Sequence, residues 1–502
     1  MRKEAKRMSE IGLLSPSACR KGLLCPKILW LEHNQPHQEI PDVMQEVLLR
    51  QKAEVKHLGQ SMFKEYAVAG HDSPQKAAEQ TAALLLRETA VIADAVFVTN
   101  GCFCRVDIVM RNADGSLELY LFKCASSVRE ICFQDAAYQY WAVSECGYRI
   151  KNMYIVYLNR HYVKEGELDL NRLFVRESVI KTARKRAKTM PEQIKAIKDC
   201  LNEPAEPERE IDACCFSPYR CRYTPHCLAF LPSPNVFDLG STQLETKLNW
   251  YRSGIISFSD LARQNNLSQR QRMQVECGLD PKKKYIDREG IRRFLEQFVF
   301  PMYFLDFESF QPAVPRYDHT RPFQQIVFQY SLHYRLSEDG PLMHREFLAG
   351  QGYDPRREAA EHLCRDIPDE GCVVVYNEAY EKQRIRELAE LFPDLREHLM
   401  GIHDRIIDLI VPFQKRMYYT AGMNGSHSIK HVLPALYASD PTLSYEQLDG
   451  VHEGAEAAAV FAAMDDMEEE ELEKNRANLL RYCGLDTLAM VMIYEKLKEA
   501  VQ

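Results

Sequence analysis

Asp306 and Glu308 stand two residues apart in the apolar stretch YFLDFESF. Alternate residues of a strand share a face, so the two carboxylates leave the backbone side by side. Two acids so placed repel each other and hydrate poorly, and a divalent cation favours both ionised forms. An edge strand bearing two solvated acids is the plain alternative; Phe304, Leu305 and Phe307 around the pair weigh against it. Further on, CVVVYNEAYEK puts Asn377 at a strand end and Glu381 one turn into the next helix. In LLRYCGLDTLAMV, Tyr482 and Asp486 lie four apart, on one helical face. The chemistry such residue types can do is to bind a hard divalent cation through carboxylate oxygens. The segment MNGSHSIKHVLP adds Ser426, Ser428, Lys430 and His431, read equally as contacts to a phosphate backbone or as a turn before a helix.

Sulfur forms the second chemistry-bearing group. The chain has 16 cysteines, a high count for a reducing compartment, where disulfides rarely persist. CCFSPYRCRYTPHC spaces Cys215, Cys221 and Cys227 at two equal steps, and the even spacing selects Cys215 over Cys214. Cys25, at the head of the amphipathic stretch CPKILWLEHN, is the candidate fourth thiolate. Four thiolates suit a [4Fe–4S] cluster or a structural zinc site. Buried cysteines without a ligand role are the remaining reading.

The elements that must position these groups give an α/β chain in three sections. FLPSPNVFDLGS, rich in Pro, Ser and Gly, marks a boundary, so the sections are 1–235, a helical connector over 236–297, and 298–502. In the first, CRVDIVM and LELYLFK read as strands joined at Asp114-Gly115, a strong hairpin signal. A helix over 132–146, a strand at KNMYIVYLN and a helical stretch over 173–201 follow. In the third, the Asp306 strand and strands at 326–336 and 343–348 form an antiparallel meander. Helix 356–366, strand CVVVYN, helix 378–392, a short strand at 406–410 and a helix from about 475 complete it. The acidic run from Asp465 to Glu473 reads as a solvated helix face.

At 502 residues, 46% apolar and 27% charged, the chain is neither disordered nor fibrous. No apolar run approaches the roughly 18 residues of a membrane span, and the N-terminus lacks the apolar core of a secretory signal. A cytoplasmic location and no membrane partner are expected. A net charge of −8 excludes an all-basic surface but leaves room for a local groove; the runs Arg184, Lys185, Arg186, Lys188 and Lys282, Lys283, Lys284 are its candidates, or else solvated helix faces.

Acid-x-acid on a first strand, Asn-x-x-x-acid after a fourth and Tyr-x-x-x-Asp on a last helix come in a telling order. Residues 298–502 thereby resemble the DnaQ-like, or DEDD, 3′–5′ exonucleases of RNase H-like fold, in their tyrosine-bearing subclass. The resemblance implies that Asp306, Glu308 and Asp486 hold two Mg²⁺ or Mn²⁺ ions, with Glu381 as fourth carboxylate and Tyr482 orienting the attacking water. The implied substrate is a single-stranded nucleic-acid end, DNA first, with RNA left open. The family usually has Asp where Glu381 stands, and one methylene matters where geometry must hold within roughly 0.5 Å. A nucleic-acid-binding protein with impaired catalysis is the alternative.

One early cysteine and three late ones resemble the iron–sulfur type of RecB-like nuclease, in which a cluster would tie residue 25 to residue 215. RVDIVMRNADGSLELYLFK is similar to the PD-(D/E)xK core, with Asp107 on one strand, Lys123 on the next, and Gln134, Tyr138 and Gln139 on the following helix. Leu121 stands where the family has a metal-binding acid, and Glu118, three residues earlier, projects from the opposite face. The resemblance thus implies a degenerate nuclease module, retained for nucleic-acid binding or architecture. CPKILWLEH, YFLDFES, FQYSLHY and YCGLDTLAMV make the whole chain look like a bacterial family of such fusions.

Overall fold

The computed structural model describes residues 12–35 and 43–502, apart from 439, 441, 442, 444 and 449. The protein is mixed α/β and divides into two compact units, 1–210 with 312–324, and 211–311 with 325–502. The division therefore falls ahead of the expected boundary at 235, and the expected connector is grouped with the second unit. No described helix is long and apolar enough to cross a membrane.

The first unit is built on a six-stranded sheet in sequence order: β1 (Ala67–Val68), β2 (Val91–Thr99), β3 (Cys102–Arg111), β4 (Leu117–Lys123), β5 (Ile150–Leu158) and β6 (Phe174–Ser178). β2, β3 and β4 run antiparallel, and β5 lies parallel to β4. The β3–β4 hairpin forms as expected: Asp114 accepts the Ser116 N–H at 3.0 Å, and Gly115 takes a φ of 76° that suits a residue without Cβ. Helix α1 (Val43–Gln60) and helix α2 (Glu130–Glu145) pack on the sheet. One expectation is corrected. Residues 174–178 are a strand rather than helix, because FVRES hydrogen-bonds along β5 as a mostly exposed sheet edge. The segment 312–324 completes a core of this unit, where Ala313 and Val314 are buried with Val55, Tyr120 and Phe174, and Lys164 pairs with Asp318 at 2.8 Å.

In the second unit β7 (Lys284–Ile286) pairs with β13 (Tyr418–Thr420), apart from the main sheet. That sheet contains β8 (Met302–Phe310), β9 (Ile326–Arg335), β10 (Met343–Leu348), β11 (Cys372–Val375) and β12 (Ile406–Asp408), in the order β10-β9-β8-β11-β12. The antiparallel meander β8–β9–β10 is continued on the other side of β8 by β11 and β12, both parallel. β8 is thus the central strand, and Phe304, Leu305 and Phe307 on it are buried. Helices α3 (Glu378–Leu391), α4 (Ile429–Leu436), α5 (Gly454–Ala463) and α6 (Glu469–Val501) frame it. α6 starts ahead of the expected 475: Glu469, Glu470 and Glu471 in its first turn stabilise the positive end of the helix dipole.

Candidate metal centre

The register of β8 on β9 sets Asp306 opposite Ser331 and Glu308 opposite Gln329, with an irregularity just after Glu308. α6 is pinned over this face by three polar contacts. Gln329 Nε2 donates to the Leu479 carbonyl at 2.8 Å, and the Thr487 hydroxyl lies 2.7 Å from Ser331 Oγ and 2.7 Å from His333 Nδ1. These fix the rotation of the helix, so Asp486, the residue before Thr487, meets the two acids of β8. Carboxylate oxygens of Asp306, Glu308 and Asp486 lie within 4.8 Å of one another. Among the described residues no other group of three His, Cys, Asp or Glu offers ligand atoms in such mutual reach.

Glu308 and Asp486 are each 7% exposed, while Asp306 is half-buried. Burial, then the Asp486 charge, raises Asp306 well above the usual carboxylate range. Burial, then the charges of Asp306 and Asp486, does the same to Glu308. Burial pushes Asp486 up to about 6, against a hydrogen bond from Tyr445 and the charge of Lys430. Three acids crowded together and driven toward their neutral forms are short of positive charge.

Glu381 stands outside that mutual reach. It lies in the first turn of α3, 2% exposed, raised by burial and then by the charge of Asp306. Its Oε2 is buried and has no hydrogen-bond partner among the described residues. The start of α3 is secured by Asp408, a residue the sequence reading passed over. Its carboxylate accepts the N–H of Asn377 at 2.9 Å and of Glu378 at 3.0 Å, while Asn377 itself sits at φ 82°. The four carboxylates supply only oxygen, the donor set of hard divalent cations such as Mg²⁺ and Mn²⁺. An orphaned buried carboxylate oxygen is what such an ion would satisfy, so the residues fit the ions they were expected to hold.

Tyr482 is buried, and burial followed by the Asp486 charge drives its phenol far above its ordinary range. Two further groups close the site. Tyr445 donates to Asp486 Oδ1 at 2.5 Å; nothing in the local pattern of its segment marks it. Lys430, on α4, donates to the His452 carbonyl at 2.7 Å and lies over the rings of Tyr445 and Tyr482, 5.4 and 5.3 Å from their centroids. α5 begins against Glu308: a Cβ on Gly454 would come 3.3 Å from Glu308 Oε2.

In the first unit, Asp107 and Lys123 are each tied to other groups. Asp107 accepts the Phe122 N–H at 2.8 Å, and Lys123 pairs with Asp135 at 2.7 Å. Lys56 of α1 pairs with Asp94 and lies 4.0 Å from Asp107 Oδ1. Leu121 is buried, and Glu118 takes the Tyr120 hydroxyl at 3.1 Å. Tyr138 donates to the Leu14 carbonyl at 2.5 Å. Of the thiols, Cys25 precedes the helix Pro26–Asn34 in the first unit. Cys215, Cys221 and Cys227 belong to the second, where the Cys221 N–H and the Thr224 hydroxyl donate to the Cys215 carbonyl at 2.9 and 3.0 Å. The basic runs are partly spent on acids: Arg186 pairs with Glu130 and Lys283 with Glu276.

Residues 303–428 match a family model described as "Domain of unknown function (DUF2779)", a span that includes Asp306, Glu308 and Glu381. The chain is similar to "Uncharacterized protein MG366 homolog" of Mycoplasma pneumoniae, 27% identical over 217 residues, 39% of this chain and 32% of the relative. It is also similar to "Uncharacterized protein UU173" of Ureaplasma parvum, 25% identical over 221 residues, 39% of this chain and 31% of the relative. "Uncharacterized protein MG366" of Mycoplasma genitalium is 26% identical over 209 residues, 38% of this chain and 31% of that one. The matched stretch spans about a third of each of these relatives.

Proposed function

We propose that the second unit is an RNase H-like, DnaQ-like 3′–5′ exonuclease that hydrolyses phosphodiester bonds at single-stranded nucleic-acid ends, with DNA as the preferred substrate. The observation that carries this is the convergence of Asp306, Glu308 and Asp486 from a central strand and a long helix within 4.8 Å. The meander-plus-parallel sheet supports the fold. Asp306, Glu308 and Asp486, with Glu381 behind them, would hold two Mg²⁺ or Mn²⁺ ions. Such ions, when bound, neutralise charge on the attacking and leaving oxygens of an in-line displacement. Tyr482, whose phenol burial drives far above its ordinary range in the metal-free chain, would orient a water by hydrogen bonding.

The first unit reads best as a RecB-like module without a metal site, because Leu121 stands where the family has a metal-binding acid and the ammonium of Lys56 lies against Asp94 and 4.0 Å from Asp107 Oδ1. Cys215, Cys221 and Cys227 are proposed ligands of a [4Fe–4S] cluster, with zinc as the competitor. The deciding experiment is digestion of single-stranded DNA and RNA labelled at either end, with Mn²⁺, by wild type and Asp306→Ala. Wild type should shorten DNA from its 3′ end, and the variant should lose activity by orders of magnitude. A second reading, a nucleic-acid-binding protein with impaired catalysis, draws on the position of Glu381 outside the reach of the other three. Tight binding by wild type with no metal-stimulated cleavage would establish it, and preferred cleavage of RNA would reassign the substrate.

A further inference from the structure

We propose that Lys430 is a substrate-contacting residue, the fixed cation that takes the negative charge of the phosphodiester at the carboxylate site. This rests on the exonuclease reading and adds to it the residue that recognises the scissile phosphate.

The argument starts from how the ammonium is held. Its charge bears on Asp306, Glu308 and Asp486 alike, yet among the described residues it makes no ion pair with any of them. Its anchors are neutral: the His452 carbonyl at 2.7 Å and the faces of Tyr445 and Tyr482 at 5.4 and 5.3 Å. The two rings stand edge-on to each other, 6.2 Å between centroids at 60°, and so make a two-walled seat for a cation. An ammonium has three N–H donors, and among the described residues one is spent on an oxygen. Lys430 is half-buried rather than sealed, which leaves the remaining donors open to an incoming anion.

Charge balance points the same way. Four carboxylates against two divalent cations cancel, and Lys430 then leaves one positive charge, matching the single negative charge of a phosphodiester. An uncompensated cluster of acids would repel that substrate; with the ions in place, the seated lysine turns a neutral site into one that attracts it. In the displacement, charge builds on the non-bridging phosphate oxygens and on the departing 3′ oxygen, and a donor aimed at developing charge acts more strongly in the transition state than in the ground state. The tyrosines that hold the lysine are the ones that serve the acids: Tyr445 bonds Asp486 at 2.5 Å, and Tyr482 lies one helical turn before it. A phosphate that draws on Lys430 is therefore in register with the carboxylates.

The test uses the full chain with Mn²⁺ and compares wild type, Lys430→Gln and Lys430→Arg in single-turnover hydrolysis of a single-stranded DNA. The scissile link is either a phosphodiester or an uncharged methylphosphonate. On the phosphodiester, Lys430→Gln should be slower by about 100-fold, the loss typical of one such donor, and Lys430→Arg should recover part of it. On the methylphosphonate the penalty should shrink to about threefold or less, because the charge that the lysine answers is gone. Mn²⁺ binding, followed by the free-ion electron spin resonance signal, should be unchanged or tighter in Lys430→Gln, which also verifies its fold. An equal penalty on both links, or none, overturns the proposal. So does a defect confined to the melting temperature of the metal-free chain, which would make Lys430 an internal counter-ion only. Should wild type hydrolyse nothing, the exonuclease reading fails and a second arm decides for Lys430. Binding of thymidine 5′-monophosphate with Ca²⁺ should weaken about tenfold in Lys430→Gln, a difference of about 1.4 kcal/mol; equal binding overturns the assignment.

Discussion

The Tyr445 hydroxyl donates to Asp486 Oδ1 at 2.5 Å across a sequence separation of 41. A hydrogen bond to an ionised partner contributes about 1.5–3 kcal/mol, and this one favours the charged form of a buried acid. Tyr445→Phe should therefore weaken Mn²⁺ binding roughly tenfold to a hundredfold, read by calorimetric titration. Unchanged affinity would show that Asp486 does not depend on this donor.

Stability of the metal-free chain should fall as pH rises. Burial lifts Asp306, Glu308 and Glu381 above their usual range and Asp486 to about 6. The folded chain thus retains protons that the unfolded chain has released; the stabilisation is full below the unfolded carboxylate values and is lost through the raised ones. With a chelator, the melting temperature should drop between about pH 5 and pH 8, and Mn²⁺ should restore it at the upper end. Asp306→Asn should melt higher than wild type in chelator at the alkaline end and show a smaller rise with Mn²⁺. A melting temperature that climbs with pH in chelator contradicts the description of the site.

Gly454→Ala separates folding from function. Its Cβ would press to 3.3 Å from Glu308 Oε2 at the start of α5, while Ala suits a helix better than Gly. The variant should keep its melting temperature, yet lose about tenfold in hydrolysis, a displacement effect of about 1.4 kcal/mol. Full activity in this variant would mean that Glu308 has room to move without consequence.

Removing Lys56 should harm the fold and spare the chemistry. Lys56→Met leaves Asp94 without its ion partner, and the part-exposed pair makes a loss of about 1–3 kcal/mol reasonable. Hydrolysis by Lys56→Met and by Lys123→Ala should match wild type under conditions where both are folded. Loss of activity in Lys123→Ala with Asp306→Ala still active would move the chemistry to the first unit.

The cysteine loop makes an analytical prediction. Protein purified without oxygen should carry iron and acid-labile sulfide, and Cys221→Ser should lose both; zinc in place of iron would select the competing site.

Much of the second unit was legible because its elements carry clean periodicity. The run CVVVYN forms strand Cys372–Val375, and helix 356–366 has the bounds read from its sequence. Asp306 and Glu308 stood out as paired acids in an apolar strand, and Asp486 through its spacing from Tyr482 and the order of the motifs. Tyr445 and Asp408 escaped notice for the opposite reason: a tyrosine in a short turn and an acid ending a three-residue strand look ordinary, and only tertiary packing gives them partners. Lys430 was in view but undecided, since a lysine opening a helix is common and its meaning depends on two distant rings. Strand β6 was missed because FVRES lies between helical stretches and is held mainly by pairing to β5.

The stretch 312–324 leaves the strand that bears Asp306 and Glu308, joins the first unit's core through Ala313 and Val314, and returns to open β9. The polypeptide is consequently sewn, not merely concatenated. Excising residues 1–210 would strip two apolar plugs from that half and leave the other with an unanchored loop between β8 and β9, so neither half is a free-standing cassette for recombination or engineering.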